Sequence, residues 1–490
     1  MDNGLKQAWQ TFKETRRNSP AYREFLSRFG YKKPKGPLGL QIAFSQIPIA
    51  DKNNYIRAFD IFRLIPPNRS AAQICASSGS SGAPTFWARD RLQEAAGGKI
   101  HELIFKKIFK INNTQETLVV ICFAMGVWVA GGFTLASCRW LNEQRGFRLI
   151  SITPGIDKAD ILAILKNLAP KFKQVILVGY PPFLLDVVKE AKQQKLRFQK
   201  KTYILASGEK LSELWRGAMF SLLGKHPDWK SIINIYGSAD VGAMAYETPF
   251  TTALRQNAAT ERDLYHELFG EEFVVPGLYQ YDPLSIYFEA VNGELVLTTN
   301  TTVPLVRYNI HDKGRVIWPS TMREILRRNK GKTRSLQTLL SKWHLPLLVV
   351  KNRTDVSLTF YSLNIYPENI LTGLEDKKLD KLVTGKFFAF TSAAAGKEFS
   401  ESLNVNVELA AGIKPTTKLA SLIADRLTNA LEKHNLEFRK LRASLGNAAV
   451  PKIRLQLFGA SAITPQQSLG LAYQRGKKAK LILPAHERKN

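Results

Sequence analysis

Five short, apolar, β-rich runs constrain this chain most: TLVVICF, FRLISI, QVILVG, TYILAS and IINIYG, all between residues 117 and 237. The stretches between them, such as PPFLLDVVKEAKQQK, are amphipathic at helical spacing. Alternating strands and helices favour a largely parallel sheet, because each helix returns the chain across one sheet face. The run NGELVLTTNTTVPLVRYNIHDKGRVIW then reads as a turn and paired strands, which predicts antiparallel structure closing this part. The expectation is an α/β chain: a large N-terminal domain with mixed sheets and helices, over residues 1–352, and a smaller α+β domain over 353–490.

The smaller domain is read from renewed strand patterning in LPLLVVKNRTDVSLTFYSLNIYPENI, helical stretches such as SLIADRLTNALEKHNLEF, and the strand KIRLQLFG. A length of 490 residues exceeds one ordinary core and fits such a division. Residues 118–138 are 21 uncharged, mostly apolar positions, long enough to cross a bilayer. Gly126, Gly131 and Gly132 break that run, and it reads better as a buried strand followed by the opening of a buried helix. The three cysteines, Cys75, Cys122 and Cys138, are too few and scattered for a disulfide framework or zinc site. They read as buried thiols of a cytoplasmic protein, and the charged N-terminal segment lacks a signal peptide's apolar core.

The net charge of +29 raises the question of a nucleic-acid or anionic-surface partner. The densest basic stretch is REILRRNKGKTRSLQTLLSK, residues 323–342, yet the rest of the excess is spread along the chain. No recognised nucleic-acid-binding motif accompanies it, so a solvated basic surface is the preferred reading.

One loop carries a chemical signal. Ser77, Ser78, Gly79, Ser80, Ser81 and Gly82 offer hydroxyls and backbone N–H groups that suit phosphate oxygens, though a Gly/Ser linker has the same composition. It matches neither the Walker spacing nor the G-x-S-x-G elbow, and a serine hydrolase using Ser80 or Ser81 lacks a paired motif. The loop does not stand alone. SSGSSGAPT is followed in order by ASGEKL, NIYGSADVG, GELVLTTNTTVPLVRYNIHD, NRTD and YSLNIYPENI. Together these resemble the adenylate-forming superfamily, and specifically its phenylacetate–CoA ligase branch, over residues 10–480.

That resemblance implies a two-domain enzyme that uses ATP and Mg²⁺ to turn a carboxylic acid into an acyl-adenylate, releasing pyrophosphate. Coenzyme A is the usual acceptor, the small domain is mobile, and dimers are common in the branch. On this reading Ser77 to Gly82 hold the phosphates, and Ser207, Gly208 and Glu209 line the adenine pocket, where a helix cap is the plain alternative. Tyr236 lies against adenine with Gly237 giving clearance, and Asp312 accepts the ribose hydroxyls. A core tyrosine and a surface-turn aspartate are the respective alternatives. Arg353, counted with the nucleotide set, forms the hinge with Asp355, and Lys477 in the tail QRGKKAKLILP is the catalytic lysine. Phe123, Met125, Trp128 and Gly132 are the acyl-pocket candidates, with core packing the alternative for Trp128. Arg307 is left between a site role and a structural ion pair.

Four positions depart from the family pattern. Ala83 stands where a lysine is usual, and Asp240 replaces the glutamate that would bind Mg²⁺, one methylene shorter. Asn352 precedes the hinge arginine in place of glycine, and Ser362 replaces the glycine of the loop used in thioester formation. Two readings therefore stand: an acyl-adenylating ligase with coenzyme A or another acceptor, and a derived protein that holds nucleotide or a polyanion without turnover.

Overall fold

The computed structural model describes all residues except 1–2, 33–38, 77–84, 112, 209, 212, 271–274, 330–333, 354–357, 362, 366, 380, 394–400, 460–469, 474–479 and 483–490. Ser77 to Gly82, Ala83, Glu209, Asp355, Ser362 and Lys477 therefore lie outside the described residues. The chain divides into two compact units, one holding Phe86–Thr354 with the N-terminal residues, the other holding Asp355–Asn490.

In the larger unit, β1 (Gln73–Ala76) and β2 (Phe86–Arg89) form an antiparallel pair. The remaining strands are β3 (Thr117–Cys122), β4 (Leu149–Ile152), β5 (Gln174–Gly179), β6 (Lys201–Ser207), β7 (Ile232–Ser238), β8 (Gly242–Tyr246) and β9 (Gly277–Gln280), then β10 (Ile286–Val291), β11 (Glu294–Thr299), β12 (Leu305–Ile317) and β13 (Leu347–Arg353). They make one eleven-stranded sheet in the order β10-β11-β12-β13-β9-β8-β7-β6-β5-β3-β4. The five apolar runs are β3 to β7. They pair in parallel in the order β4-β3-β5-β6-β7, the second strand outermost, a doubly wound arrangement whose ligands sit beyond the strands' carboxyl ends.

Both faces of β3 and β5, in the middle of this set, are covered, which is why they read as unbroken apolar runs. Leu118, Val120 and Cys122 of β3 share one cluster with Ile161, Leu184 and Trp215. Those three come from helices α5 (Lys158–Asn167), α6 (Pro181–Gln193) and α7 (Glu213–Leu223). Val119 and Ile121 point the other way, into a cluster with Cys138 and Leu141. That side is covered by α3 (Arg91–Glu102) and α4 (Val129–Arg145), where a Cβ on Gly98 would meet the Trp140 ring at 2.3 Å. Residues 118–138 thus resolve into β3 and the start of α4, and among the described residues no helix is long and apolar enough to cross a membrane. The N-terminal helices α1 (Asn3–Asn18) and α2 (Pro20–Arg28) cover the antiparallel strands, burying Phe12, Tyr22 and Phe25 with Leu295, Leu305 and Tyr308.

The basic stretch forms α8 (Pro319–Arg328) and α9 (Arg334–Lys342). Met322, Ile325, Leu326, Leu336 and Leu340 are buried beneath it. Arg323, Arg327, Arg328 and Lys342 are exposed on the outer side of these amphipathic helices, as a solvated face requires.

The smaller unit holds a hairpin, β14 (Leu358–Phe360) with β15 (Leu363–Ile365), and a five-stranded sheet. The sheet order is β18-β17-β16-β19-β20, formed by β16 (Val383–Ala393), β17 (Glu401–Leu409), β18 (Lys452–Gln456), β19 (Gly470–Tyr473) and β20 (Lys480–Ile482). KIRLQLFG supplies β18, and two further strands follow it. Helix α11 (Thr417–His434) buries Ile423, Leu427 and Leu431, and α10 (Pro367–Leu374) packs on it through Gly373.

Candidate functional site

The carboxyl ends of β6 and β7 meet β12 at the site. β6 ends on Ser207, whose hydroxyl donates to the Ile235 carbonyl at 3.0 Å. This bond clasps β6 to β7 and gives the serine a role other than capping a helix. Gly208 follows with φ of 105°, a conformation that side chains avoid. On β7, Tyr236 stacks on the buried Tyr279 with ring centroids 5.5 Å apart, and its hydroxyl donates to the Asp312 carboxylate. Two motif residues 76 positions apart thus share one hydrogen bond. A Cβ on Gly237 would stand 2.6 Å from the Gly242 carbonyl oxygen, so the β7–β8 hairpin itself requires this glycine.

Asp312 is half-buried on β12, opposite Arg353 of β13 in register. Two residues of β12, Arg307 and His311, have positive φ of 46° and 61°, a strained backbone for non-glycine residues. Arg307 is structural: its Nε donates to Glu289 at 3.1 Å and its Nη1 to the Ile47 carbonyl at 2.6 Å. Burial raises the Glu289 carboxyl, and the Arg307 charge opposes that shift.

Asp240 turns into the protein, 8% exposed. Its Oδ2 accepts from the Tyr308 hydroxyl at 2.7 Å, and its Oδ1 lies 3.3 Å from Lys52 Nζ. The carbonyls on either side, Ala239 and Val241, accept from the two terminal nitrogens of Arg89 at the end of β2. Burial pulls the Arg89 guanidinium down to about 10, so it is charged at neutral pH. Magnesium requires a carboxylate oxygen at about 2.0–2.1 Å in a near-octahedral shell. Asp240 meets that demand poorly, because the Lys52 ammonium beside one oxygen repels a dication and the Tyr308 phenol engages the other. Among the described residues no group of three or more His, Cys, Asp or Glu is placed to hold a metal.

Sequence reasoning missed the segment Ala50–Lys52. Ala50 pairs with β12: its N–H donates to the Arg307 carbonyl, and its carbonyl accepts from Asn309 N–H. Asp51 caps the helical turn Lys52–Ile56, accepting from the N–H groups of Asn53 and Asn54, while the Asn54 side chain returns a bond to Asp51 N–H. The same carboxylate lies 3.7 Å from His311 Nε2, and that ring is the main cause holding its pKa below the usual range. The capping pattern D-x-x-N is visible in ADKNNY; its meeting with Asp240 and His311 depends on tertiary structure.

Of the acyl candidates, Phe123 and Trp128 are buried, Met125 partly so, and Gly132 lies 3.6 Å (from an ideal Cβ) from the Gln73 amide. Trp128 bridges to Ala76, which ties the end of β1 to the start of α4. Beside them lies a cleft lined by Gln73, Cys75, Arg89, Gln93, Val129 and Phe133. Of these, Val129 and Phe133 are on the same α4 turn as Gly132; none was singled out in the sequence as a site residue.

No protein-family model matches the chain, and no curated protein matches it in sequence. Solved structures do. A 2-hydroxyisobutyryl-CoA ligase in complex with 2-HIB-AMP and CoA, in its thioesterification state, superposes with a TM-score of 0.62 at 15% identity, covering 94% of this chain and 87% of that one. The same ligase in its postadenylation state, with R3-HIB-AMP, gives 0.51 at 16% identity, covering 94% and 86%. The chain thus has the fold of the adenylate-forming ligases, as its motif order implied.

Proposed function

We propose that the chain activates a carboxylic acid as its acyl-adenylate and passes the acyl group to coenzyme A. One carboxylate oxygen attacks the α-phosphorus of ATP, the bond to the β-phosphate oxygen breaks, and pyrophosphate leaves. The thiol then displaces AMP from the acyl carbon. This chemistry needs positioned hydrogen-bond donors and charges around the phosphates, and no covalent protein nucleophile. The observation that carries the reading is the hydrogen bond from Tyr236 to Asp312 beyond the carboxyl ends of the parallel strands. It places an aromatic ring beside a half-exposed carboxylate, the pair a nucleoside needs for its base and its ribose diol.

In this reading Ser77 to Gly82 grip the β- and γ-phosphates, and Ser207 to Glu209 border the base. Arg353 and Asp355 form the hinge between residues 1–352 and 353–490, and Lys477 reaches the reacting carboxylate. The acid is aryl or acyl and occupies the space around Phe123, Met125, Trp128 and Gly132. A cytoplasmic homodimer of the phenylacetate–CoA ligase type is the full form of the proposal. The engaged Asp240 favours a second reading, a protein that holds nucleotide without turnover. Carboxylate-dependent ATP–pyrophosphate exchange over a panel of aryl and fatty acids separates the two. Exchange with at least one acid, abolished in Asp312→Ala, supports the ligase; AMP binding without exchange for any acid supports the holder.

A further inference from the structure

We infer that Lys52 is a built-in cation at the nucleotide phosphates, excluding a divalent metal from Asp240 and supplying positive charge in its place. The inference rests on the nucleotide reading above. Its geometric basis is the Asp240 carboxylate, bound by the Lys52 ammonium at 3.3 Å on one oxygen and by the Tyr308 hydroxyl at 2.7 Å on the other. The Lys52 side chain is 25% exposed and that of Asp240 8%, so the lysine is the solvent-side partner of the pair and the carboxylate lies inside. A cation approaching from solvent meets like charge first; a phosphate oxygen meets the opposite charge.

Lys52 is also held in place. Ala50 is paired to β12 on both of its backbone groups, beside Tyr308, the residue whose hydroxyl reaches Asp240. Asp51 then caps the turn that Lys52 opens. The turn that carries Lys52 and the phenol that holds Asp240 are thus both set by one stretch of β12, which also carries Asp312. Arg89, 3% exposed, pins the backbone on both sides of Asp240. A rigid cation of this kind offsets two departures in the sequence at once: the absence of lysine at position 83 and the shortened carboxylate at position 240.

The test uses the full chain and the variants Lys52→Met, Lys52→Arg, and Lys52→Met combined with Asp240→Asn. Mn²⁺ binding is read by electron paramagnetic resonance without nucleotide, and AMP and ATP binding by calorimetry with either Mg²⁺ or EDTA. The wild type is expected to hold no Mn²⁺ through Asp240. Its ATP affinity in EDTA should stay within about 3-fold of that in Mg²⁺. Lys52→Met is expected to weaken ATP about 10-fold in EDTA, more than it weakens AMP, the effect of losing one charge-assisted contact. It should also acquire a Mn²⁺ site that vanishes in the double variant, while Lys52→Arg behaves as wild type. Stoichiometric Mn²⁺ in the wild type, or ATP binding abolished by EDTA, overturns the inference. Absence of AMP binding overturns the nucleotide reading and the phosphate role with it, and the Mn²⁺ measurement still decides whether Lys52 bars a metal from Asp240.

Discussion

Replacing Asp312 by alanine tests the proposed nucleotide site at the carboxylate assigned to the ribose. In the structure this carboxylate is half-buried and accepts a hydrogen bond from Tyr236. A bound ribose would add its 2′- and 3′-hydroxyls as donors, exchanging water for charge-assisted bonds. Hydrogen bonds to a charged group contribute a net ~1.5–3 kcal/mol, and partial exposure of Asp312 keeps the total for both hydroxyls within that range. At 1.4 kcal/mol per decade, Asp312→Ala should weaken AMP about 10- to 150-fold. The sharper readout is discrimination. Calorimetry should show wild-type protein preferring AMP over 2′-deoxy-AMP by about 3- to 12-fold, one hydroxyl's share, and the variant binding both alike. Tyr236→Phe keeps the ring and should cost less AMP affinity than Asp312→Ala. A wild type indifferent to the 2′-hydroxyl, or a variant that retains the preference, refutes the assignment of Asp312 to ribose.

Three further outcomes follow from the packing around that site. Glu247 is buried and paired to Arg216 through both oxygens, with Arg255 at 3.4 Å, so Glu247→Leu should cost about 3–5 kcal/mol in urea unfolding by stranding a buried cation; a loss under ~1 kcal/mol contradicts this. Gly237→Ala places a methyl 2.6 Å from the Gly242 carbonyl and should destabilise by about 1–3 kcal/mol, seen as a lower Tm; an unchanged Tm means the hairpin does not require glycine. Asp51 has its pKa lowered, chiefly by His311, so its contribution to stability is complete above the ordinary value of about 3.9 and is lost as pH falls through the lower folded value. Asp51→Asn, which keeps the cap, should therefore flatten the acid side of the stability–pH profile below about pH 4, and an unchanged profile excludes the Asp51–His311 contact.

What the sequence disclosed follows the range of the forces involved. The strands β3 and β5 were legible because burial on both faces leaves an unbroken apolar run. The glycines dividing residues 118–138 marked where β3 gives way to α4, which period and length decide locally. Tyr236 and Asp312 were found by motif order, and the structure adds that they touch. Gly237 was read as clearance for a base, whereas the approach of β8 alone demands it. Lys52 was invisible for a different reason. A lysine after a capping aspartate is an ordinary helix start, and its partner Asp240 lies in the turn between β7 and β8, brought near only by the eleven-stranded sheet. The neighbours of the acyl segment were missed likewise, since Gln73, Arg89 and Phe133 converge from three separate elements.

The central claim is that a carboxylate oxygen attacks the α-phosphorus, and isotope transfer tests it most directly. The full chain is incubated with ATP and the exchange-competent acid carrying ¹⁸O in its carboxylate, with coenzyme A present, and the AMP formed is weighed by mass spectrometry. The account predicts AMP that gains a single ¹⁸O, carried from the acid when the thiol displaces the adenylate. AMP containing only ¹⁶O, or ADP as the nucleotide product, would contradict it.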